Sequence, residues 1–366
     1  MPAQIYALDT NLAWTRPGDP LTSHRQESWR IDLLNNDDVP VAQLLGATGG
    51  SFSFNVNAEI RGGGSIEYRG APIDWNQHRV QPWYRTDYRG QYREWPLGVF
   101  IVATPSTQYE DAGKSATLEL YDKTQLLIDD QITSTYQVPA GANVIDAVRQ
   151  ALDAAGQRRT AIEDSDKTLA TTMVWPVGTT RLRIINDLLA AANYFSLWAD
   201  GDGVFRAVPY LRPAERGMSW GFEDNAQSIY SAEFTHDFDT FSVPNRVIVT
   251  GQSDGDTEAP VAVAEDVAGS PFSYETRGRW VTRTEEGQDA TDQATLQALA
   301  DRLLQEGQQV GSVFSIRHAP IPLELNSSVA FRRAKEDIDV AATVQEISYS
   351  METGALCSTT LREFAQ

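Results

Sequence analysis

Ser51-Phe52-Ser53-Phe54-Asn55-Val56, followed across Gly62-Gly63-Gly64 by Ser65-Ile66-Glu67-Tyr68, is the passage on which the reading of this chain turns. Polar and apolar side chains alternate, the period-2 signature of a strand buried on one face. The three glycines between the halves tolerate positive φ and predict a tight turn or bulge. The same alternation appears upstream in Glu27-Ser28-Trp29-Arg30-Ile31-Asp32-Leu33 and downstream in Ala116-Thr117-Leu118-Glu119-Leu120-Tyr121-Asp122. Arg79 to Tyr84 and the nearly continuous apolar run Leu97 to Ala103 complete the set. Short strands at this spacing, with few helix signals, predict a barrel or sandwich for the first 130 residues or so.

Past residue 138 the pattern changes. Asn143 is placed as an N-cap, with Val144, Ile145, Val148 and Leu152 recurring at helical spacing and Gly156 as a C-terminal stop. A second helix follows Thr179-Thr180, with Leu182, Ile185, Leu188, Leu189 and Ala192 on one face. Thr171 to Val177 reads as a strand, and Asp200-Gly201-Asp202-Gly203 as a hairpin turn between Tyr194–Trp198 and Val204–Val208. Residues 135–212 thus form a small α/β insertion. After Pro213 strands return at Asn245–Gly251, Val313–Arg317, Ser328–Arg332, Thr343–Tyr349 and Leu356–Leu361. One helix is expected over about 291–306, carrying Leu296, Leu299, Leu303 and Leu304, with Glu285, Glu286, Asp289 and Asp292 at its N-terminus. The acidic stretch Ser253 to Asp266 reads as a mobile loop. No short tandem repeat is visible, but two β-rich parts flank the insertion as distant copies would.

The 366 residues carry 30 Lys and Arg against 50 Asp and Glu, a net charge of −20. Such a surface repels phosphate backbones and anionic headgroups, which argues against ordinary nucleic-acid or membrane-surface binding. No run approaches the roughly 18–20 apolar residues of a membrane span. The N-terminus, Met1-Pro2-Ala3-Gln4-Ile5-Tyr6, shows no secretory signal. The single cysteine, Cys357, excludes an intrachain disulfide and a Cys-rich metal site, and is expected as a small buried hydrophobe. His24, His78, His236 and His318 are scattered without metal-ligand spacing and are expected in loops or at the surface. No nucleophile elbow, phosphate loop or EF-hand is present, and the Asp129-Asp130, Glu285-Glu286 and Asp237/Asp239 pairs are what an acidic chain supplies by chance. No catalytic, metal or cofactor site is predicted.

One segment is dense in arginine and aromatic residues. Trp75, Arg79, Trp83, Tyr84, Arg85, Tyr88, Arg89 and Trp95 lie within about twenty residues, with Arg61 upstream. These residue types are enriched at interface hot spots and in carbohydrate or peptide grooves, and equally form barrel rims where arginine stacks on tryptophan. Both readings stay open, and the nine residues are the candidate interface or ligand contacts.

The order of several passages resembles the hub-type minor tail proteins of long-tailed bacteriophages, particularly those of actinobacteria. They are Ile60-Arg61-Gly62-Gly63-Gly64-Ser65-Ile66-Glu67-Tyr68, Ile73-Asp74-Trp75, Arg79-Val80-Gln81-Pro82, Pro96-Leu97-Gly98-Val99-Phe100-Ile101-Val102 and Leu118 to Leu127. Pro139-Ala140-Gly141-Ala142-Asn143-Val144-Ile145 and Pro244-Asn245-Arg246-Val247-Ile248-Val249-Thr250-Gly251 follow. The resemblance implies a β-rich α+β fold with two tail-tube-like β-barrel domains: residues 1–134, with 213–238 available to complete them, and 239–366, flanking the α/β domain 135–212. It implies a homotrimeric, pseudo-sixfold ring at the tail tip of a virion with a sheathless tail, assembled in the bacterial host cytoplasm. The implied neighbours are a distal tail (tube-adaptor) ring above, the tape-measure protein, and other minor tail and receptor-binding proteins below. Genomic DNA would pass through without specific binding, and the chain would end without the long C-terminal extension of many relatives. A carbohydrate-binding adhesin and a cell-wall hydrolase are the competing functional readings, the first resting on the Trp75–Trp95 cluster.

Overall fold

Alternation produces strands where it was expected, and the glycines between them do not turn the chain. This computed structural model describes residues 19–23, 25–110, 113–225, 228–238, 241–251, 260–288, 293–308 and 312–364. His24, Met1–Tyr6, Asp239, Asp289, Asp292 and residues 252–259 therefore lie outside the described residues. Packing divides the chain into two compact units: residues up to Glu233 with Ile316–Leu361, and Phe234–Ser315 with residues from Arg362 onward.

The first unit begins with β1 (Gln26–Leu34), β2 (Pro40–Gln43), β3 (Ala47–Asn55), β4 (Gly62–Tyr68), β5 (Arg79–Tyr88), β6 (Gln91–Pro96), β7 (Phe100–Glu110) and β8 (Gly113–Asp122). Gly62, Gly63 and Gly64 lie inside β4, paired with Phe54, Ser53 and Phe52 of β3. The predicted turn or bulge is thus corrected, and the bulge in this pair falls between Ala47 and Gly49. The requirement for glycine is close approach: a Cβ on Gly64 would sit 2.2 Å from the Ser51 carbonyl oxygen, and one on Gly62 3.1 Å from the Phe54 ring. The aromatic rings of β3 fill the space that side chains on β4 would take. β7 starts at Phe100, and Leu97 serves the preceding turn, its N–H donating to Pro82 O.

Next come α1 (Gln125–Asp129), β9 (Tyr136–Val138), α2 (Val144–Ala154), β10 (Thr160–Ile162), β11 (Met173–Trp175), α3 (Arg181–Ala191), β12 (Trp198–Ala199) and β13 (Phe205–Ala207). Asn143 caps α2, its Oδ1 accepting from the Asp146 N–H at 3.0 Å, and Thr180 caps α3, its Oγ1 accepting from the Arg183 N–H at 3.2 Å. Val144, Ile145, Val148 and Leu152 pack with Leu182, Ile185, Leu188 and Leu189 in one apolar core. The 200–203 turn forms as expected, with Asp200 Oδ1 accepting from the Asp202 and Val204 N–H groups.

β14 (Met218–Glu223) and β15 (Tyr230–Asp237) lead to β16 (Arg246–Gly251), β17 (Val261–Glu265), α4 (Tyr274–Arg277), β18 (Thr282–Gln288) and α5 (Gln293–Gln308). Part of the expected loop, Val261–Glu265, is a strand, because Ala262 and Ala264 alternate inward against Leu296 and Ala300 of α5. Glu285 and Glu286 likewise belong to β18 and not to the start of the helix. β19 (Val313–His318), β20 (Ser328–Arg333), β21 (Ile338–Ser350) and β22 (Cys357–Glu363) close the chain.

Fourteen strands form one sheet ordered β15-β19-β22-β21-β3-β4-β8-β7-β5-β1-β2, with β20 joining β21, β14 joining β20, and β6 joining β5. The path is open, so no closed barrel forms among the described residues. β5 meets β7 only at Arg79 and Val80, and the β7–β8 register breaks between Val102 and Pro105, where proline supplies no N–H. The order also repeats. Strands β15, β19, β22 and β21 stand to one another as β3, β4, β8 and β7 do, and β20 and β14 follow β21 as β5 and β1 follow β7. The equivalent pairs β1–β5 and β14–β20 differ in direction, antiparallel in the first and parallel in the second, and β2 and β6 have no counterpart in the second copy among the described residues.

His318 was expected in a loop or at the surface; it is fully buried at the end of β19. Its Nε2 lies 2.8 Å from Thr359 Oγ1 and its Nδ1 2.9 Å from Ala319 O. Burial lowers its pKa to about 4, against the opposing hydrogen bond to Ala319. An unfolded histidine near 6.5 binds a proton that the native one refuses. The stability tied to neutral His318 is therefore complete above pH 6.5 and lost as pH falls toward 4, by about 3 kcal/mol. Urea denaturation of wild type and His318→Gln at pH 7, 5.5 and 4 should show a shallower acid decline in the variant; parallel curves would contradict this assignment.

Candidate functional site

The period of β5 separates the predicted arginine–aromatic cluster into two faces. Tyr84 turns inward, 1% exposed, with Trp29 edge-on at 5.1 Å and Trp95 at 4.9 Å between ring centroids. Burial drives its phenol pKa strongly upward. Trp83 and Arg85 face the other way. Arg30, directly across the strand pair from Trp83, lies 4.7 Å over its ring. Arg85 lies 4.2 Å over Tyr92 and ion-pairs with Asp87 at 2.8 Å. The exposed Arg89 lies 5.1 Å over Tyr88. Trp75 sits on a 3₁₀ turn, Trp75–Gln77, edge-on to Tyr68 at 5.8 Å. Exposed cation–π pairs of this kind contribute about 0.5–1 kcal/mol each. Packing within one strand neighbourhood therefore accounts for much of the cluster's composition.

Arg79 belongs elsewhere. Its guanidinium pairs with the Asp38 carboxylate, which also receives Lys123 Nζ at 2.6 Å. Lys123 donates a second bond to Gly203 O at 2.9 Å and sits 4.9 Å from the Phe205 ring centroid. Arg159 donates to the Asp38 carbonyl oxygen at 3.0 Å. Asp38 comes from the β1–β2 hairpin, Arg79 from β5 and Lys123 from the end of β8, whereas Arg159, Gly203 and Phe205 come from the α/β insertion. One carboxylate thus fastens the insertion to the sheet. Gln81 adds a second fastening, its Nε2 donating to Gly201 O at 2.8 Å. Burial lowers the Lys123 pKa, and the hydrogen bond and charge of Asp38 oppose it.

Arg61 and Trp95, the remaining predicted residues, line a cavity of about 330 Å³ in the first unit. The rest of the lining includes the loop 322–327, the 198–202 turn, Phe195 and Arg206, which the sequence does not associate with this cavity. Cys357 is buried as expected, with Sγ 3.3 Å from His318 Nδ1. This pair is not a nucleophile and base: burial raises the thiol pKa, the imidazole is also buried, and neither group is reached by solvent. No cluster of three metal-ligating side chains occurs among the described residues.

No family model and no curated protein matches this sequence. Solved structures do. A tail protein from Neisseria meningitidis MC58 superposes with a TM-score of 0.64 at 13% identity, over 92% of this chain and 97% of that one. The chain has the fold of phage tail proteins. The 43 kDa tail protein of prophage MuSo2 from Shewanella oneidensis is similar at a TM-score of 0.62 and 13% identity, over 91% and 98% of the two chains. A chain of the Francisella PdpA–VgrG complex gives 0.57 at 7% identity, over 93% of this chain and 53% of that one. The likeness spans both units and the α/β insertion, so the resemblance read from the sequence holds at the level of fold.

Removing the Asp38 carboxylate leaves Arg79 and Lys123 buried without their counter-charge. Asp38→Ala should cost about 3–5 kcal/mol, the usual effect of breaking a buried ion pair from one side. Chemical denaturation monitored by tryptophan fluorescence measures it; a loss below about 1 kcal/mol, the scale of a surface pair, would show that the cluster does not fasten the insertion.

Proposed function

We propose that this chain is a structural hub of a bacteriophage tail tip, three copies of which form a ring joining a sixfold tail tube to a threefold tip. The observation that supports the reading most is the repeated strand order. Within one chain, β21 of the second repeat pairs with β3 of the first, from Glu346 opposite Asn55 to Ser350 opposite Ser51. The strand equivalent to β21 in the first repeat is β7. Beyond Val102, β7 is paired on one side only among the described residues. The strand equivalent to β3 is β15, which stands at the other end of the sheet path. A second copy offering its β15 to this β7 repeats the β21–β3 junction between chains. Three chains joined in this way present six repeats, a heterologous contact that closes on itself. The two tube-like halves of the ring are then the two strand repeats, with the α/β insertion between them and the β16–β18 module inside the second.

The exposed face of β21-β3-β4-β8 suits a wall around DNA. Ser51, Ser53, Glu67, Thr117, Glu119, Glu346 and Ser348 are exposed there, and their neighbours Phe52, Ile66, Leu118, Leu120 and Ile347 point into the core. No lysine or arginine stands on the outward positions 51, 53, 65, 67, 117, 119, 346 and 348. A surface of hydroxyls and carboxylates offers phosphates no counterion-release gain, so DNA slides past it. In this reading the protein acts by shape, in the virion tail, between a tube-adaptor ring and the tape-measure, minor tail and receptor-binding proteins. It has no catalytic role.

Two measurements test this. Gln108→Cys in β7, combined in turn with Ser231→Cys and Glu233→Cys in β15, should give interchain disulfides and a covalent trimer on a non-reducing gel. A chain that stays monomeric by light scattering at its highest soluble concentration, with no crosslink from either pair, would overturn the ring. The triple change Glu67→Lys, Glu119→Lys, Glu346→Lys should convert a protein that ignores duplex DNA into one that retains it at low salt and releases it as salt rises. Unchanged DNA retention in the variant would contradict the proposed wall.

A further inference from the structure

The cavity lined by Arg61 and Trp95 holds polar groups that the fold does not use. Arg61 is half-buried, yet its guanidinium makes no hydrogen bond or close ion pair with any described residue; it lies 6.0 Å over the Trp198 ring. Burial lowers its pKa and the Asp122 charge opposes this. Glu324, an exposed residue of the lining, has no side-chain hydrogen-bond or ion-pair partner among the described residues. Surrounding protein, and then the charge of Asp200, raise its pKa, against Arg206. Trp95 is 6% exposed and its indole N–H lacks a partner. A buried polar group without a partner, as the Trp95 indole N–H is, is uncommon in folded proteins and marks a place where something else satisfies it. The neighbouring charges that do have partners, Asp122 with Gly62 and Thr124, and Asp200 with Arg206, show that the local structure can pair its groups when it needs to.

The volume and the chemistry of the wall narrow the occupant. About 330 Å³ lies at the small end of ligand pockets, which run from about 300 to 1,000 Å³, so the occupant is a small molecule. Both charge signs are present: a cation meets Arg61, Arg206 and Arg216, and an anion meets Asp122, Asp200, Asp202 and Glu324. A neutral ligand whose groups each donate and accept satisfies the unpaired guanidinium and carboxylate together. Trp198 and Phe195 contribute aromatic surface to the lining. We propose that this cavity binds one or two rings of a neutral saccharide, with Arg61 donating to and Glu324 accepting from its hydroxyls. The inference stands apart from the ring, since it uses neither β7 nor β15.

The test titrates the intact protein with glucose, galactose, mannose, N-acetylglucosamine and the β-1,4-linked N-acetylglucosamine dimer, followed by calorimetry and ligand-observed NMR. Free arginine, free glutamate and glycine serve as charged and zwitterionic comparisons. At least one sugar should bind, and Glu324→Gln and Arg61→Gln should each weaken it about tenfold or more with unchanged thermal unfolding. Should either variant fold poorly, Trp198→Phe, which keeps an aromatic plane, should retain binding that Trp198→Ala loses. Binding of no sugar in the panel, a preference for the amino acids, or sugar binding indifferent to both Arg61 and Glu324 would each overturn the proposal.

Discussion

A single buried carboxylate holds two architectures together. Asp38 lies at the tip of a hairpin on the sheet, and around it stand a guanidinium from β5, an ammonium from the end of β8 and a guanidinium from the insertion. Each cation alone would be expensive to bury, and the carboxylate alone equally so. Together they leave little choice of orientation, because Lys123 must also reach the Gly203 carbonyl oxygen and Arg159 must reach the Asp38 main chain. An apolar contact would have joined the α/β insertion to the sheet with comparable strength and less directional control. The chain at Asp38 adopts φ +60°, a conformation that non-glycine residues seldom take, which is consistent with a position fixed by its partners.

That cluster was invisible in the sequence. Its members are separated by 41, 85 and 121 positions, and each taken singly is an ordinary charged residue in an acidic chain. Elements governed by local rules were legible: the Asn143 cap, the helix after Thr179-Thr180, the apolar faces of α2 and α3, and the alternation in β1, β3, β4 and β8. Errors arose where a local signal had a distant cause. Gly62–Gly64 reads as a turn because glycine permits one, but here the close approach of the neighbouring strands, the Ser51 carbonyl oxygen and the Phe54 ring above all, requires it. His318 looked like a surface histidine because nothing near it in sequence predicts the strand that covers it. The Arg–aromatic run was correctly seen as dense, yet the strand period splits it into a core face and an outer face, and only Arg61 and Trp95 reach the cavity. The rest of that cavity's lining includes residues 198–202 and 322–327, more than a hundred positions away.

The sheet order makes the two β-rich parts of the chain comparable in a way that their sequences do not. Six strands recur in the same sequence and the same neighbour relations, while residue identities differ almost throughout. Such repetition is expected when pairing geometry is preserved and side chains are free to diverge. It also explains why the sheet does not end where one barrel would close: the junction between copies inside the chain is itself a strand pairing.

The connection between equivalent strands differs sharply in length. β3 and β4 are joined by residues 56–61, whereas β15 and β19 are separated by residues 238–312, which hold the β16–β18 sheet and α5. Lengthening a flexible link by that factor costs only about 2 kcal/mol of closure entropy. A hairpin connection can therefore take up a whole folded module at little entropic cost, and the strands on either side keep their places in the sheet.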